Sequence, residues 1–448
     1  MLRNLIAESS DCEFIKKLEI EKPKSWLKTI AAFANGVGGK LIFGITNNKE
    51  LIGIDDAQSD IERITDFIDK FITPKIIFNI EVHNENNKNF LELTINPGSS
   101  TPYYYKSSST KTAYIRNGSS TIEAPDYILN ELILKGTGKT YDGIVTGFRK
   151  DDFSFTVLES DFLEKTGTRF TEQDYISFGL STLDGYLTNC GVLLADSNPY
   201  RQSRVFCTKW NGLDKSSEQE VLDDKEFSGS IIKQLKMALD FYKVNTATKW
   251  HKTANGTIVE PDYSDEAILE ALVNAIIHRN YNNIGAEVCM NIYYDKIEIT
   301  SPGIMVSGDP IPKHVNYAFE SMRRNPYIAD VFWKLGYMNR RGSGLSKITN
   351  ATNKLFDDGK EHVSFQIRNS FFAVSIDNAN YYSKKALPLT KRQKSILDAL
   401  GNNRMTITSL SSMLDVSRKT LKKELDYLQT QNLVDTEGIT KSKTWFKK

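Results

Sequence analysis

The stretch Glu270-Ala271-Leu272-Val273-Asn274-Ala275-Ile276-Ile277-His278-Arg279-Asn280 decides how the middle of this 448-residue chain is read. Glu270, Asn274 and His278 recur every four residues, so a helix carries all three along one face. Leu269, Leu272, Val273, Ile276 and Ile277 cover the packing side. A carboxylate and an amide on an otherwise apolar helix cost desolvation unless each has a partner, so the pattern calls for a site. The periodicity predicts a helix over 265–279, strands within 287–300 and a second helix near 326–336. Downstream come Ile297-Glu298-Ile299-Thr300-Ser301-Pro302-Gly303, then Met322-Arg323-Arg324-Asn325-Pro326, then Arg340-Arg341-Gly342-Ser343-Gly344-Leu345. The last is a glycine-rich turn running into a helix. Its backbone amides can cradle phosphate while the arginines neutralise charge.

Length and composition set the frame. A chain of 448 residues suggests about three domains, and 40% hydrophobic with 25% charged residues marks a globular protein. Net charge is +1, so no polyanionic partner is implied globally and charge is read locally. No stretch approaches the roughly 20 apolar residues of a membrane span, and the first residues turn acidic too soon for a signal peptide. The four cysteines are scattered and the five histidines have no metal-ligand spacing. A disulfide framework, a zinc site and a histidine-based metalloenzyme are therefore excluded as readings, and a cytoplasmic location without membrane contact is expected.

Towards the C-terminus the charge becomes uneven. Residues 390–448 hold twelve Lys and Arg against six Asp and Glu, a net +6. Helices are predicted from Thr390, as N-cap, to Leu400, from Thr406 to Leu414 and from Arg418 to Leu428. Residues 433–438 and 444–446 are predicted as a hairpin wing. In the third helix Leu421, Leu425 and Leu428 share a face, while Arg418, Lys419, Lys422 and Lys423 occupy the rest. An apolar stripe that docks the helix and basic residues that meet phosphates and base edges are the parts of a recognition helix in a winged-helix DNA-binding module. A small interaction module with a solvated basic face is the alternative.

Towards the N-terminus the chain reads as mixed α and β. A helix over 25–35 stops at Gly36-Val37-Gly38-Gly39, a strand covers 40–45, and Asn47-Asn48-Lys49-Glu50 turns the chain. Strands are also predicted over 90–95 and 112–116. Tyr103-Tyr104-Tyr105 reads either as core or as aromatics for base stacking, with Lys16, Lys17, Lys22, Lys24 and Lys28 as nearby phosphate-seeking charge.

Several of these motifs resemble a known family when taken in order. Glu8-Ser9-Ser10-Asp11-Cys12-Glu13-Phe14, Ala32 to Gly39, Phe43-Gly44-Ile45, Ile52-Gly53-Ile54 and Arg116-Asn117-Gly118-Ser119-Ser120-Thr121 are similar to a Schlafen AlbA-like domain over about residues 8–125. Together with the middle motifs, the chain resembles bacterial proteins that join this domain to a divergent GHKL-type (HATPase, RecG-related) ATPase-like domain and a helix-turn-helix. The resemblance implies an α+β multidomain fold: an AlbA-like domain over 1–135, the GHKL-like α/β sandwich with its preceding region over 140–380, and the winged helix over 390–448.

The resemblance also implies site residues. In Schlafen nucleases two glutamates at the spacing of Glu8 and Glu13, with an aspartate, hold Mg²⁺ or Mn²⁺ for RNA cleavage. At the aspartate position this chain has Thr46-Asn47, with Asp55 or Asp56 as possible substitutes. In the ATPase-like domain Glu270 would orient water and Asn274 would hold Mg²⁺. His278, Gly303, Arg341, Gly342 and Gly344 would contact ATP. GHKL ATPases read adenine with an Asp where this chain has Thr300-Ser301-Pro302-Gly303. Three readings stand: an ATP-responsive DNA-binding transcriptional regulator, acting as a homodimer; a metal-dependent endoribonuclease of tRNA or other RNA, in phage defence; and an active ATPase. A degenerate ATPase fold kept for structure or dimerisation is the plain alternative for the middle domain.

Overall fold

The computed structural model describes the chain except residues 1–10, 216–219, 254–255, 306–321, 340–341, 369, 383–390, 402, 431–432, 439–442 and 448. The chain forms two compact units, residues 1–382 and 383–448. Mixed α and β elements run throughout, as the sequence leads one to expect. Among the described residues no helix is long and apolar enough to cross a membrane.

The N-terminal region holds two four-stranded sheets. One runs in the order Cys12–Ile15, Gly39–Phe43, Lys88–Ile95, Phe78–Glu85, its first pair parallel and the others antiparallel. The other runs Ile72–Thr73, Tyr104–Lys106, Lys111–Asn117, Ser120–Glu123. The helix Lys24–Asn35 packs on the strand Lys111–Asn117 and buries most of its length. Its last residue, Asn35, is buried yet satisfied. The amide donates to Tyr103 O at 2.8 Å and Tyr114 O at 3.0 Å and accepts from Tyr103 N at 2.7 Å. Gly39 follows because a Cβ there would lie 2.5 Å from the Phe33 ring. Tyr103 and Tyr105 are buried, so these two aromatics belong to the core rather than to a stacking surface.

The middle region is built on a six-stranded sheet, ordered Val221–Phe227, Val205–Trp210, Val288–Ile292, Lys296–Pro302, Phe371–Asp377, Val363–Arg368. Only the Val205–Trp210 and Val288–Ile292 pair is parallel. The helix Asp265–Ile277, apolar nearly all round, is buried, as such a pattern requires. Ser264 caps its start, with Asp265 and Glu266 in the first turn where the helix dipole favours acids. Two side chains satisfy carbonyls at its end, which have no intrahelical partners. Asn325 Nδ2 donates to Ile277 O at 2.7 Å and Arg279 O at 2.9 Å, and Ser301 Oγ donates to Ala275 O at 2.6 Å.

The helix Asp126–Gly136 fastens these two regions together. Thr101 Oγ1, from the N-terminal side, donates to Leu132 O at 2.7 Å. On the other flank Glu131 accepts from Arg324 Nε at 3.0 Å and Asn280 Nδ2 at 2.9 Å, and Tyr127 donates to Ser370 Oγ at 2.8 Å.

The C-terminal unit contains helices Lys391–Leu400, Ile407–Leu414 and Arg418–Thr430, and a small sheet ordered Met405–Thr406, Thr444–Lys447, Val434–Glu437. Ile396, Leu400, Leu410, Leu421, Leu425, Leu428, Val434 and Trp445 form its core. Thr406 caps the second helix, accepting from Ser409 N at 3.2 Å. Thr390, expected as the first cap, lies outside the described residues.

Candidate functional site

A cavity of about 310 Å³ opens between the helix Asp265–Ile277, the end of the strand Lys296–Pro302 and the turn 342–344. The structure brings Glu270, Asn274, His278, Gly303, Gly342 and Gly344 together around it. Arg341 lies outside the described residues. Ile299, Met305, Met338, Ile348, Phe372 and Val374 supply an apolar wall. A mostly apolar cavity with a few convergent polar groups is the usual form of a small-molecule site.

Local chain geometry explains the polar end. The turn at 342–344, with Gly342 at φ +64°, leads into the helix Gly344–Asn353, which packs on Asp265–Ile277. The glycine backbone lies so close to two side-chain ends of that helix that a Cβ on Gly344 would be 2.8 Å from both Asn274 Nδ2 and Glu270 Oε1. Glu270 is largely buried, and its Oε2 pairs with Lys347 Nζ at 3.2 Å. The Asn274 amide makes no side-chain hydrogen bond among the described residues and remains available to a ligand.

His278 sits at the end of the same helix. Burial, with the positive charges of Arg324 and Arg323, pushes its pKa down to about 4, so the ring is neutral at neutral pH. Arg324 lines the cavity but is committed elsewhere: beyond Glu131 it donates to His278 O at 2.6 Å and Ile304 O at 2.9 Å. Gly303, at φ +120°, has no room for a side chain, since a Cβ would lie 2.8 Å from Arg324 Nη1. Ser301 also lines the cavity, its hydroxyl proton spent on Ala275 O.

Sequence reasoning missed Lys347 and Arg324 as parts of this site. Lys347 stands three residues after Gly344, which places it one helical turn beyond the glycine turn. That spacing was the signal that could have found it.

Glu13 lies apart from this cavity, on the strand Cys12–Ile15. Its carboxylate pairs with Arg116 Nη1 and accepts from Thr29 Oγ1, 3.2 Å from Oε2. Arg116 is further held by Thr121 Oγ1 at 2.8 Å and Ser119 O at 2.7 Å. Glu8 lies outside the described residues. Asp56 is the N-cap of the helix Ala57–Phe71, accepting from Ser59 N at 3.0 Å. Among the described residues, no group of three or more His, Cys, Asp or Glu side chains is placed to hold a metal ion.

In the C-terminal unit Arg418, Lys419, Lys422 and Lys423 are all exposed, while Leu421, Leu425 and Leu428 on the same helix are buried. The apolar stripe turns the basic residues to solvent.

Comparison with known proteins agrees with the motifs. Residues 8–125 match the family described as "Schlafen, AlbA_2", and residues 285–376 match "Putative ATP-dependent DNA helicase recG C-terminal", a HATPase-type family. Among solved structures, the DIP2311 protein from Corynebacterium diphtheriae shares 16% identity, with 100% of this chain and 95% of that chain covered, at a TM-score of 0.46. The N-terminal domain of "Putative ATP-dependent DNA Helicase RecG-related Protein" from Nitrosomonas europaea shares 19% identity over 28% of this chain and 85% of that one, at a TM-score of 0.21. No curated protein matches the chain.

Proposed function

We propose that this chain, which carries a Schlafen AlbA_2 domain and a RecG-related HATPase-type domain, is a DNA-binding transcriptional regulator that responds to ATP. The observation that carries this reading is the C-terminal helix Arg418–Thr430, whose leucines are buried and whose Arg418, Lys419, Lys422 and Lys423 are exposed. Three helices with a small sheet, one strand between the first two helices and two strands after the third, are the parts of a winged helix, whose third helix enters the major groove.

The cavity supports the second half of the proposal. Its size and apolar wall suit a nucleoside, and its polar end gathers Asn274, Glu270 and the glycine turn. Asn274 would hold Mg²⁺, and the amides that open the helix Gly344–Asn353 would face phosphate. Bound Mg²⁺–ATP would supply a charged group whose presence the protein can sense. Glu270, which the resemblance assigns to orienting a water, is neutralised by Lys347 for as long as the pair holds.

The ribonuclease reading is the weaker one because Glu13 is engaged by Arg116 and Thr29 rather than turned to an open site. That pairing supports a structural role for Glu13 and a binding role for the N-terminal domain.

A gel-shift titration of the full chain on DNA, over a range of salt, tests the proposal. Binding that weakens steeply with salt, and a shallower salt slope in Lys422→Glu/Lys423→Glu, are expected. DNA binding should also change when ATP is added. No salt-sensitive DNA binding by the full chain would overturn the reading.

A further inference from the structure

The carboxylate inside the cavity already has a cation. Lys347 Nζ lies 3.2 Å from Glu270 Oε2, and the lysine is the more exposed partner, with 29% side-chain exposure against 9%. Lys347 therefore stands on the solvent side of Glu270. It belongs to the first turns of the helix Gly344–Asn353, whose Gly344 and Leu345 line the cavity. The N-cap residue Ser343 makes no side-chain cap bond to that helix start. Among the described residues, the other cationic groups beside the cavity are committed or discharged. Arg324 donates to Glu131, His278 O and Ile304 O, Arg323 pairs with Asp330, and His278 is held neutral.

We propose that the Lys347–Glu270 ion pair is a latch, in which Lys347 is the residue that meets the phosphate chain of an entering nucleotide and leaves Glu270 to do so. An ammonium on a flexible four-carbon stem can swing between two acceptors, which a guanidinium bonded at three points cannot. A polyphosphate carries more negative charge than one carboxylate, so it competes well for the lysine. Phosphate binding and release of Glu270 then become one event. While latched, the carboxylate is neutralised; once released, it faces the cavity with its charge free to orient water. This rests on the reading of the cavity as a nucleotide site.

The competition has an unusual consequence. Replacing Glu270 by its neutral isostere removes the lysine's rival, so Glu270→Gln should bind ATP about three- to tenfold more tightly, while binding of adenosine, which has no phosphate, stays unchanged. Lys347→Met should weaken ATP about tenfold or more and again spare adenosine, and Lys347→Arg should restore part of the loss. Lys347→Met also leaves Glu270 buried without its cation, so the double variant Lys347→Met/Glu270→Gln serves as the folding control. It should melt like the unmodified chain and bind ATP as weakly as Lys347→Met.

Calorimetric titration of the full chain with ATP and with adenosine, each with Mg²⁺, reads all of these. If the unmodified chain binds ATP but Glu270→Gln fails to tighten it, or the folded double variant binds as well as the unmodified chain, the latch is overturned and the nucleotide reading survives. If the unmodified chain binds neither compound, the nucleotide reading falls and takes the latch with it.

Discussion

Replacing Glu13 by alanine should loosen the N-terminal domain from within. The Glu13 side chain is 20% exposed and that of Arg116 only 7%, so the pair is shielded from water. In Glu13→Ala the guanidinium keeps Thr121 Oγ1 and Ser119 O but loses the Glu13 carboxylate, and Thr29 Oγ1 loses an acceptor. Removing one partner of a largely buried pair costs about 2–4 kcal/mol, because the remaining charge is left in a poor solvent. That raises the open fraction of the domain about 30- to 1,000-fold.

Whole-chain melting would mix several units, so the opening is better read locally. Hydrogen exchange of the amides in the helix Lys24–Asn35, which packs beside this pair, reports it directly. Protection there should fall in Glu13→Ala and less in Glu13→Gln, whose amide oxygen still accepts from Arg116. It should partly recover in Glu13→Ala/Arg116→Met, where no buried charge is stranded. Unchanged protection in Glu13→Ala would refute the structural role and return Glu13 to the list of free carboxylates.

Other variants probe the cavity. Gly344→Ala puts a Cβ 2.8 Å from Asn274 Nδ2 and Glu270 Oε1, the ends of two side chains rather than backbone. The fold should lose only about 1 kcal/mol by thermal melting while ATP affinity falls sharply, since those two ends must move. Ser301 has spent its proton on Ala275 O, so it presents acceptor lone pairs to the cavity. The unmodified chain should therefore prefer ATP to inosine triphosphate, which lacks the amino group, and Ser301→Ala should narrow that preference in a competition titration. His278 has a folded pKa of about 4 against about 6.5 in an unfolded chain, so the folded form binds fewer protons in between. Stability should fall as pH drops through that window, and His278→Gln should flatten that part of a melting-temperature profile.

The sequence by itself determined what is local. The four-residue recurrence of Glu270, Asn274 and His278 gave one helix face, and the face lines one cavity. The leucine stripe of Leu421, Leu425 and Leu428 gave a docked helix with its basic residues outward. Both follow from backbone periodicity, which is written in consecutive residues. Only the tertiary structure decided which charged groups are free. Glu13 is paired with Arg116, 103 residues away, and Glu270 with Lys347, 77 residues away. Ser301 was visible in place of an aspartate, yet its bond to Ala275 O, 26 residues earlier, was not. A side chain's partner depends on which strands and helices pack together, and sheet order and helix docking bring together residues that no local period relates. Residue type thus announced the candidate site, and packing decided which of its groups remain open to a ligand.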